Sequence, residues 1–112
     1  MSEDCVFCRI IKGEIPSNKV YEDEKMIAIY DVAPAAPVHV LLLPKEHTAN
    51  VTTAAPELLA YMLGKVKTIA EQTGIAEKGF RLVINTGEEG GQTVNHLHIH
   101  VIGGKALGWP PC

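Results

Sequence analysis

The chain has 112 residues, 46% of them hydrophobic and 21% charged, the balance of an ordinary soluble globular protein with one core. A formal net charge of −3 with no basic run argues against neutralising a DNA or RNA backbone and leaves a single nucleotide open as a ligand. No apolar run approaches the ~18 residues of a membrane span, the acidic start "MSEDCVFC" is unlike a signal peptide, and three cysteines are too few for a disulfide framework, so a reduced cytoplasmic protein is expected, off the membrane.

In chain order, "CVFCRIIKGEIP" carries Val6, Phe7, Ile10 and Ile11 at the spacing of a short helix, which Gly13 and Pro16 end. "NKVYEDE" and "KMIAIYDV" read as the two strands of a hairpin turned at "EDEK". "PVHVLLLPKEH", bracketed by Pro37 and Pro44, is a further strand and sets His39 among valines and leucines. Over residues 56–73, Leu58, Leu59, Met62, Leu63, Val66, Ile69 and Ala70 keep a period of about 3.6 between Pro56 and a capping Gly74, which predicts one long helix. "GFRLVIN" then reads as a strand, "TGEEGGQ" as a glycine-rich turn and "TVNHLHIHVIGG" as the last strand. Strands clustered before and after one long helix predict an α+β fold, a single domain over residues 1–112 with a mostly antiparallel sheet and a short N-terminal helix.

Three of the five histidines, His96, His98 and His100, alternate with Leu97, Ile99 and Val101 in that last strand. Residues two apart on a strand share a face, so the imidazoles point one way and the aliphatic side chains pack into the core. Neighbouring histidines would stand ~7 Å apart and the outer pair ~13 Å. A zinc ion with bonds of ~2 Å collects two of them at most, so the three have separate jobs. A merely polar outer face would draw on Thr, Ser, Lys or Glu rather than on three groups titrating at about pH 6.5.

In the turn "TGEEGGQT", Gly87, Gly90 and Gly91 let backbone N–H groups approach an anion, although the Lys and spacing of a P-loop are missing and the turn alone serves a hairpin equally well. Beside three imidazoles, its amides and the Thr93 hydroxyl can converge with them on one phosphate. A neutral imidazole nitrogen can attack phosphorus and form a covalent phosphoramidate that water hydrolyses. That requires one His held in the right tautomer by a partner on its other nitrogen, and a second donor near the phosphoryl oxygens. A serine-type triad is disfavoured, because Ser2 and Ser17 are the only serines and lie near the N-terminus. Separately, Cys5 and Cys8 form a Cys-x-x-Cys pair, open between zinc binding, redox chemistry and burial, with no preceding strand to favour a thioredoxin-like unit.

"HLHIHV" fits His-φ-His-φ-His-φφ, with φ apolar, and resembles the signature of the histidine-triad family of nucleotide hydrolases and transferases. "FCRIIKGEIPS", "YDVAPAAPVHVLLLPKEH", "RLVINTGEEGGQTV" and "GGKALGWPP" are similar, in order, to its Hint branch, the adenosine 5′-monophosphoramidases, so the resemblance covers nearly the whole chain. It implies a five-stranded antiparallel sheet, a homodimer whose protomers join into a ten-stranded sheet, and a purine nucleotide, an AMP or GMP moiety, bound at the histidine strand. Residue by residue, His98 is the implied nucleophile, His100 and Thr93 the implied contacts to the α-phosphate and leaving group, and His39 the residue that orients the triad. Asn85, with Gly91 and Gln92 of the turn, would assist at the phosphate. Asp31 would accept the ribose hydroxyls. Phe7, Ile10, Ile15, Ile29 and Val32 would line the base slot, and Trp109 would reach toward the partner's site and shape which amine is accepted. Plainer readings stand beside these, since regularly spaced apolar residues are usually core and an Asp before a proline-rich turn can be a turn former.

The chain has Thr93 where many Hint proteins have Ser, and Asn95 where an aromatic often precedes the triad. Some bacterial members with a Cys-x-x-Cys start complete it with the His of a "PKEH"-like stretch and the first His of the triad. The resemblance therefore implies a closed, structural Cys₂His₂ zinc site at Cys5, Cys8, His47 and His96, with no cofactor required for catalysis. The activity it implies is that of a nucleoside phosphoramidase, hydrolysing the P–N bond of purine nucleoside 5′-phosphoramidates through a nucleotidyl-histidine. A dinucleoside polyphosphate hydrolase and a nucleotide-binding scaffold with incidental hydrolysis are the competing readings, and the tail "GGKALGWPPC" favours the first.

Overall fold

A computed structural model describes residues 4–111. The elements run α1 (Val6–Ile11), β1 (Lys19–Glu22), β2 (Met26–Tyr30), β3 (Val38–Pro44), α2 (Pro56–Gly64), α3 (Val66–Gln72), β4 (Phe80–Val83) and β5 (Ile99–Gly103). The strands form one α+β sheet in the order β1-β2-β3-β5-β4, with every adjacent pair antiparallel. Among the described residues no helix is long and apolar enough to cross a membrane.

The central strand explains its own sequence. In β3, Val40 and Leu42 join a core formed with Met62, Val66, Ile69 and Ala70 of α2 and α3, while Leu41 and Leu43 join Phe7 and Cys8 of α1 on the other face. A strand covered on both faces favours apolar residues, hence the unbroken "VLLL", and its one buried polar side chain, His39, is paired with His100. The β1–β2 hairpin is closed by Asp23, whose Oδ1 accepts from the backbone N–H of Lys25 at 2.8 Å and of Met26 at 3.0 Å. Its Oδ2 accepts the hydroxyls of Tyr21 and Tyr61, tying the hairpin to α2.

The helical periodicity over residues 56–73 is realised as α2 and α3, separated at Lys65. Gly64, a weak helix former, sits at the join, and the buried stripe continues through it in Met62, Val66, Ile69 and Ala70. The last strand is shorter than its alternating pattern: pairing begins at Ile99, so His96 and His98 precede β5. Their segment is held by other bonds, from the Leu97 N–H to the Thr48 carbonyl at 2.7 Å and from the His96 ring to the Pro44 carbonyl at 2.9 Å. The two-residue alternation survives this loss of ladder. Leu97, Ile99 and Val101 enter the helix-covered core, and all three histidines face the α1 side.

Candidate active site and metal cluster

The three imidazoles are not spread evenly along one line. His98 and His100 lean together, with ring centroids 5.1 Å apart, while His96 turns to α1. The bonds they make fix their tautomers. A carbonyl can only accept, so the 2.7 Å contact of His98 Nδ1 with the His96 carbonyl puts the proton on Nδ1 and leaves the Nε2 of a neutral His98 as a bare lone pair.

His100 is set by a longer chain of the same logic. The backbone N–H of Ala35 donates to His39 Nδ1 at 3.0 Å, which places the His39 proton on Nε2. That proton is directed to His100 Nδ1 at 2.8 Å, so a neutral His100 carries its own proton on Nε2. Burial, and then the neighbouring imidazoles of His98 and His39, lower the pKa of His100 from the ordinary 6.5 to about 4, with Asp31 pulling weakly the other way. The arrangement is one imidazole offering a lone pair beside another offering an N–H. That is the pairing nucleophilic displacement at phosphorus requires.

The remaining site residues divide. Asp31 lies 3.5 Å from His39 Nε2 through Oδ2, and its Oδ1 also accepts the Ala33 N–H at 2.8 Å, so the turn-forming role and a place beside the relay coexist. Phe7 and Ile29 are core, with Ile10 packed against them and Phe7 edge-on to His98 at 5.0 Å. Ile15 is half-buried, and Val32 is 99% exposed, so it packs against nothing in this chain. Trp109 is 82% exposed and so is not part of this chain's core. Thr93 is exposed and lines a recess with Cys5, Val6, His47 and Asn95.

The glycine turn is bonded within itself. The N–H groups of Gly87 and Gly91 are engaged within it, bonded to Gln92 Oε1 and the Glu88 carbonyl at 3.0 Å each. The Gln92 amide donates to the carbonyls of Ala49 at 2.7 Å and Val94 at 3.0 Å, and Asn85 Nδ2 to that of Gly90 at 2.7 Å. Gly91 and Gln92 therefore hold the turn shut in this chain. A Cβ on Gly90 would lie 2.3 Å from the Thr86 carbonyl oxygen, so the turn's own closeness is what requires glycine there.

A second constellation lies against α1. The donor atoms of Cys5, Cys8, His47 and His96 all lie within 4.8 Å of one another. His96 Nδ1 is 3.4 Å from Cys5 Sγ, 3.6 Å from Cys8 Sγ and 3.1 Å from His47 Nδ1, and His47 Nδ1 is 3.2 Å from Cys8 Sγ. Tetrahedral bonds of ~2.0 Å to nitrogen and ~2.3 Å to sulfur put donors roughly 3.3 to 3.8 Å apart, so this set fits a four-coordinate ion closely. His96 Nε2–H donates to the Pro44 carbonyl, which leaves Nδ1 as its ligating lone pair. Burial lowers the pKa of His96, with the Pro44 bond opposing, a shift in the direction of the neutral ring that a metal ligand requires.

Several groups in this site have no residue-type signal. The carbonyls of His96 and Pro44 and the N–H of Ala35 are backbone groups available at any residue but proline's nitrogen. Arg81, whose Nη2 donates to the Gly108 carbonyl at 2.7 Å, carries no motif and is visible only once β4 is seen beside the tail.

A sheet that brings a tautomer-fixed imidazole, an N–H-bearing imidazole and a histidine relay to one face defines a class of protein built for histidine chemistry on a bound ligand. The chain belongs to the HIT domain family, which matches residues 12–107. It is 55% identical to a HIT-like protein of Synechococcus elongatus over 99% of both chains. It is also 45% identical to a 14 kDa zinc-binding protein of Zea mays, over 95% of this chain and 86% of that one. A HIT family hydrolase from Legionella pneumophila superposes with a TM-score of 0.93 at 43% identity, covering 97% of this chain and 100% of the other.

Proposed function

We propose that the protein hydrolyses purine nucleoside 5′-phosphoramidates in the cytoplasm, as one domain over residues 1–112 that pairs with a second copy along β4. The observation that carries this reading is the bond from His98 Nδ1–H to the His96 carbonyl, which leaves Nε2 free to attack. His98 Nε2 bonds to the α-phosphorus as the P–N bond breaks, and the departing amine takes the Nε2 proton of His100. The carbonyl of His96 faces the positive charge that develops on His98. Water then attacks phosphorus, releases the nucleoside monophosphate from His98 and returns a proton to His100. The hydrolase superposed on this chain supports the reaction class. Asp31 and the Phe7, Ile10 and Ile29 cluster lie on the same face and are assigned to ribose and base.

The four-donor cluster is assigned to structural zinc. Its donor spacing and the zinc-binding relative support this. Such a closed site pins α1 to the loop before β5 and supplies no chemistry to the substrate.

The test is incubation with an AMP phosphoramidate and, separately, with a diadenosine polyphosphate, with intact mass measured during turnover. Amine release and a protein heavier by one adenylyl group, absent in His98→Ala, are expected. Faster turnover of the polyphosphate would reassign the leaving group, and a folded protein showing neither turnover nor adduct would overturn the enzymatic reading.

A further inference from the structure

We infer that the Cys5, Cys8, His47 and His96 cluster positions the nucleophile, with the peptide between His96 and Leu97 as the link from the metal site to His98. This rests on the readings of His98 as nucleophile and of the cluster as a zinc site.

His96 is held at both ends. Its ring faces Cys5, Cys8 and His47 through Nδ1 and donates to Pro44 through Nε2, while its carbonyl accepts the Nδ1–H of His98 at 2.7 Å. The same peptide unit is held from its other side, where the Leu97 N–H donates to the Thr48 carbonyl at 2.7 Å. Thr48 adjoins His47, so the two histidine ligands are joined once through their ring nitrogens and again, one residue on, through backbone. A peptide plane fixed at its N–H and attached to an anchored ring cannot rotate its carbonyl. That carbonyl is what selects the His98 tautomer.

The two cysteines supply a second link. Cys5 caps α1, its sulfur accepting the Cys8 N–H at 3.4 Å, and the helix carries Phe7 between the two thiols. The Phe7 ring stands edge-on to His96 at 5.9 Å and to His98 at 5.0 Å. With the cluster closed, His98 is confined by the carbonyl at Nδ1 and by Phe7 at its face, and presents Nε2 alone. With the cluster open, the 96–97 peptide keeps its Thr48 bond and the His96 ring its Pro44 bond, but the tie to α1 and His47 is lost, and the His98 ring is confined less tightly to one tautomer. Groups that orient a metal site and its neighbours typically change activity by ~10- to 100-fold when lost.

The experiment uses the full chain without a histidine tag, loaded with zinc, with its histidine rings labelled with nitrogen-15 and His98 assigned from the spectrum of His98→Asn. Elemental analysis is expected to give one zinc per chain, and nitrogen NMR a single Nδ1–H tautomer for His98. Replacing zinc by cadmium, whose longer bonds to sulfur move the ligands without opening the site, should displace the His98 ring resonances although His98 touches no metal. Chelation, or His47→Ala, should give a tautomeric mixture and a kcat lower by ~10- to 100-fold with KM within about twofold, and His47→Cys should restore zinc and the single tautomer relative to His47→Ala. If the chelated protein unfolds, the cadmium form decides alone. A zinc-loaded protein whose His98 resonances are the same with cadmium, and unchanged in a folded chelated form, overturns this inference and leaves the proposed function standing. An active protein that purifies without metal overturns the zinc reading and the inference with it.

Discussion

The Nδ1–H of His98 donates to the carbonyl of His96 across 2.7 Å, a bond between two members of one alternating run that makes them unequal. One histidine supplies a backbone acceptor and the other becomes the group with a free ring nitrogen. His98→Ala should therefore reduce phosphoramidate turnover to less than about one ten-thousandth of wild type, the scale seen when a nucleophile is removed. AMP binding by calorimetry should persist, because the core around it, in Leu97, Ile99 and Val101, is untouched. Turnover near wild type would contradict the assignment.

His39 and His100 act as a pair at 2.8 Å, and their effects should not add. His100→Ala removes the N–H assigned to the leaving group in the proposed reaction and should lower kcat by about two to three orders of magnitude. His39→Ala leaves that N–H in place but unoriented, so a smaller loss of ~10-fold is expected. The double variant should be no slower than His100→Ala, as measured by steady-state kinetics. A fully multiplicative loss would mean that His39 works on something other than His100.

Much of this was legible from residue types. The strand positions, the single apolar run in β3 and the sharing of one face by His96, His98 and His100 follow from periods of two and of about 3.6, which burial enforces. The division of labour among the histidines did not follow, because it depends on the Pro44, His96 and Ala35 backbone, which any sequence would offer. The internal bonds of the glycine turn, from the Gly87 and Gly91 N–H groups back to their own loop, were not legible either, because glycines mark a close approach without saying what approaches. The end of pairing at Ile99 was hidden too, since alternation persists beyond the ladder that usually accompanies it.

Stability should fall in two steps on acidification. The pKa of His100 lies at about 4 in the folded chain against an ordinary 6.5, so between these values the unfolded chain binds more protons. Its contribution is present above about pH 6.5 and is lost as the pH falls toward about 4. Asp23 follows: burial alone would raise its pKa, but the hydroxyls of Tyr61 and Tyr21 and two backbone N–H groups hold it far below the usual carboxylate range. Its contribution is complete above about pH 4 and is lost below it. Thermal melts from pH 8 to 3 should show His100→Asn flattening the upper step and Asp23→Asn the lower. If neither variant alters the profile, these two groups do not govern the acid limb.

Arg81 and Trp109 should behave as one device. The Arg81 guanidinium donates to the Gly108 carbonyl at 2.7 Å and so fixes the residue before Trp109, whose ring is 82% exposed and free of this chain's core. An exposed indole on a tethered tail adds little to stability, since surface substitutions usually stay within ±0.5 kcal/mol, and the role proposed for it is a large apolar face offered to the leaving amine. Trp109→Ala should therefore leave AMP affinity and melting temperature near wild type while narrowing the ratio of kcat/KM between aromatic and small alkyl amine leaving groups. Arg81→Ala, which frees the tail without removing the ring, should change the same ratio in the same direction but by less. Arg81→Lys keeps a donor but loses the planar guanidinium and should fall between wild type and Arg81→Ala. If Trp109→Ala slows all amines equally, or Arg81→Ala changes stability and leaves preference alone, the tail is a packing element and the choice of amine is made elsewhere.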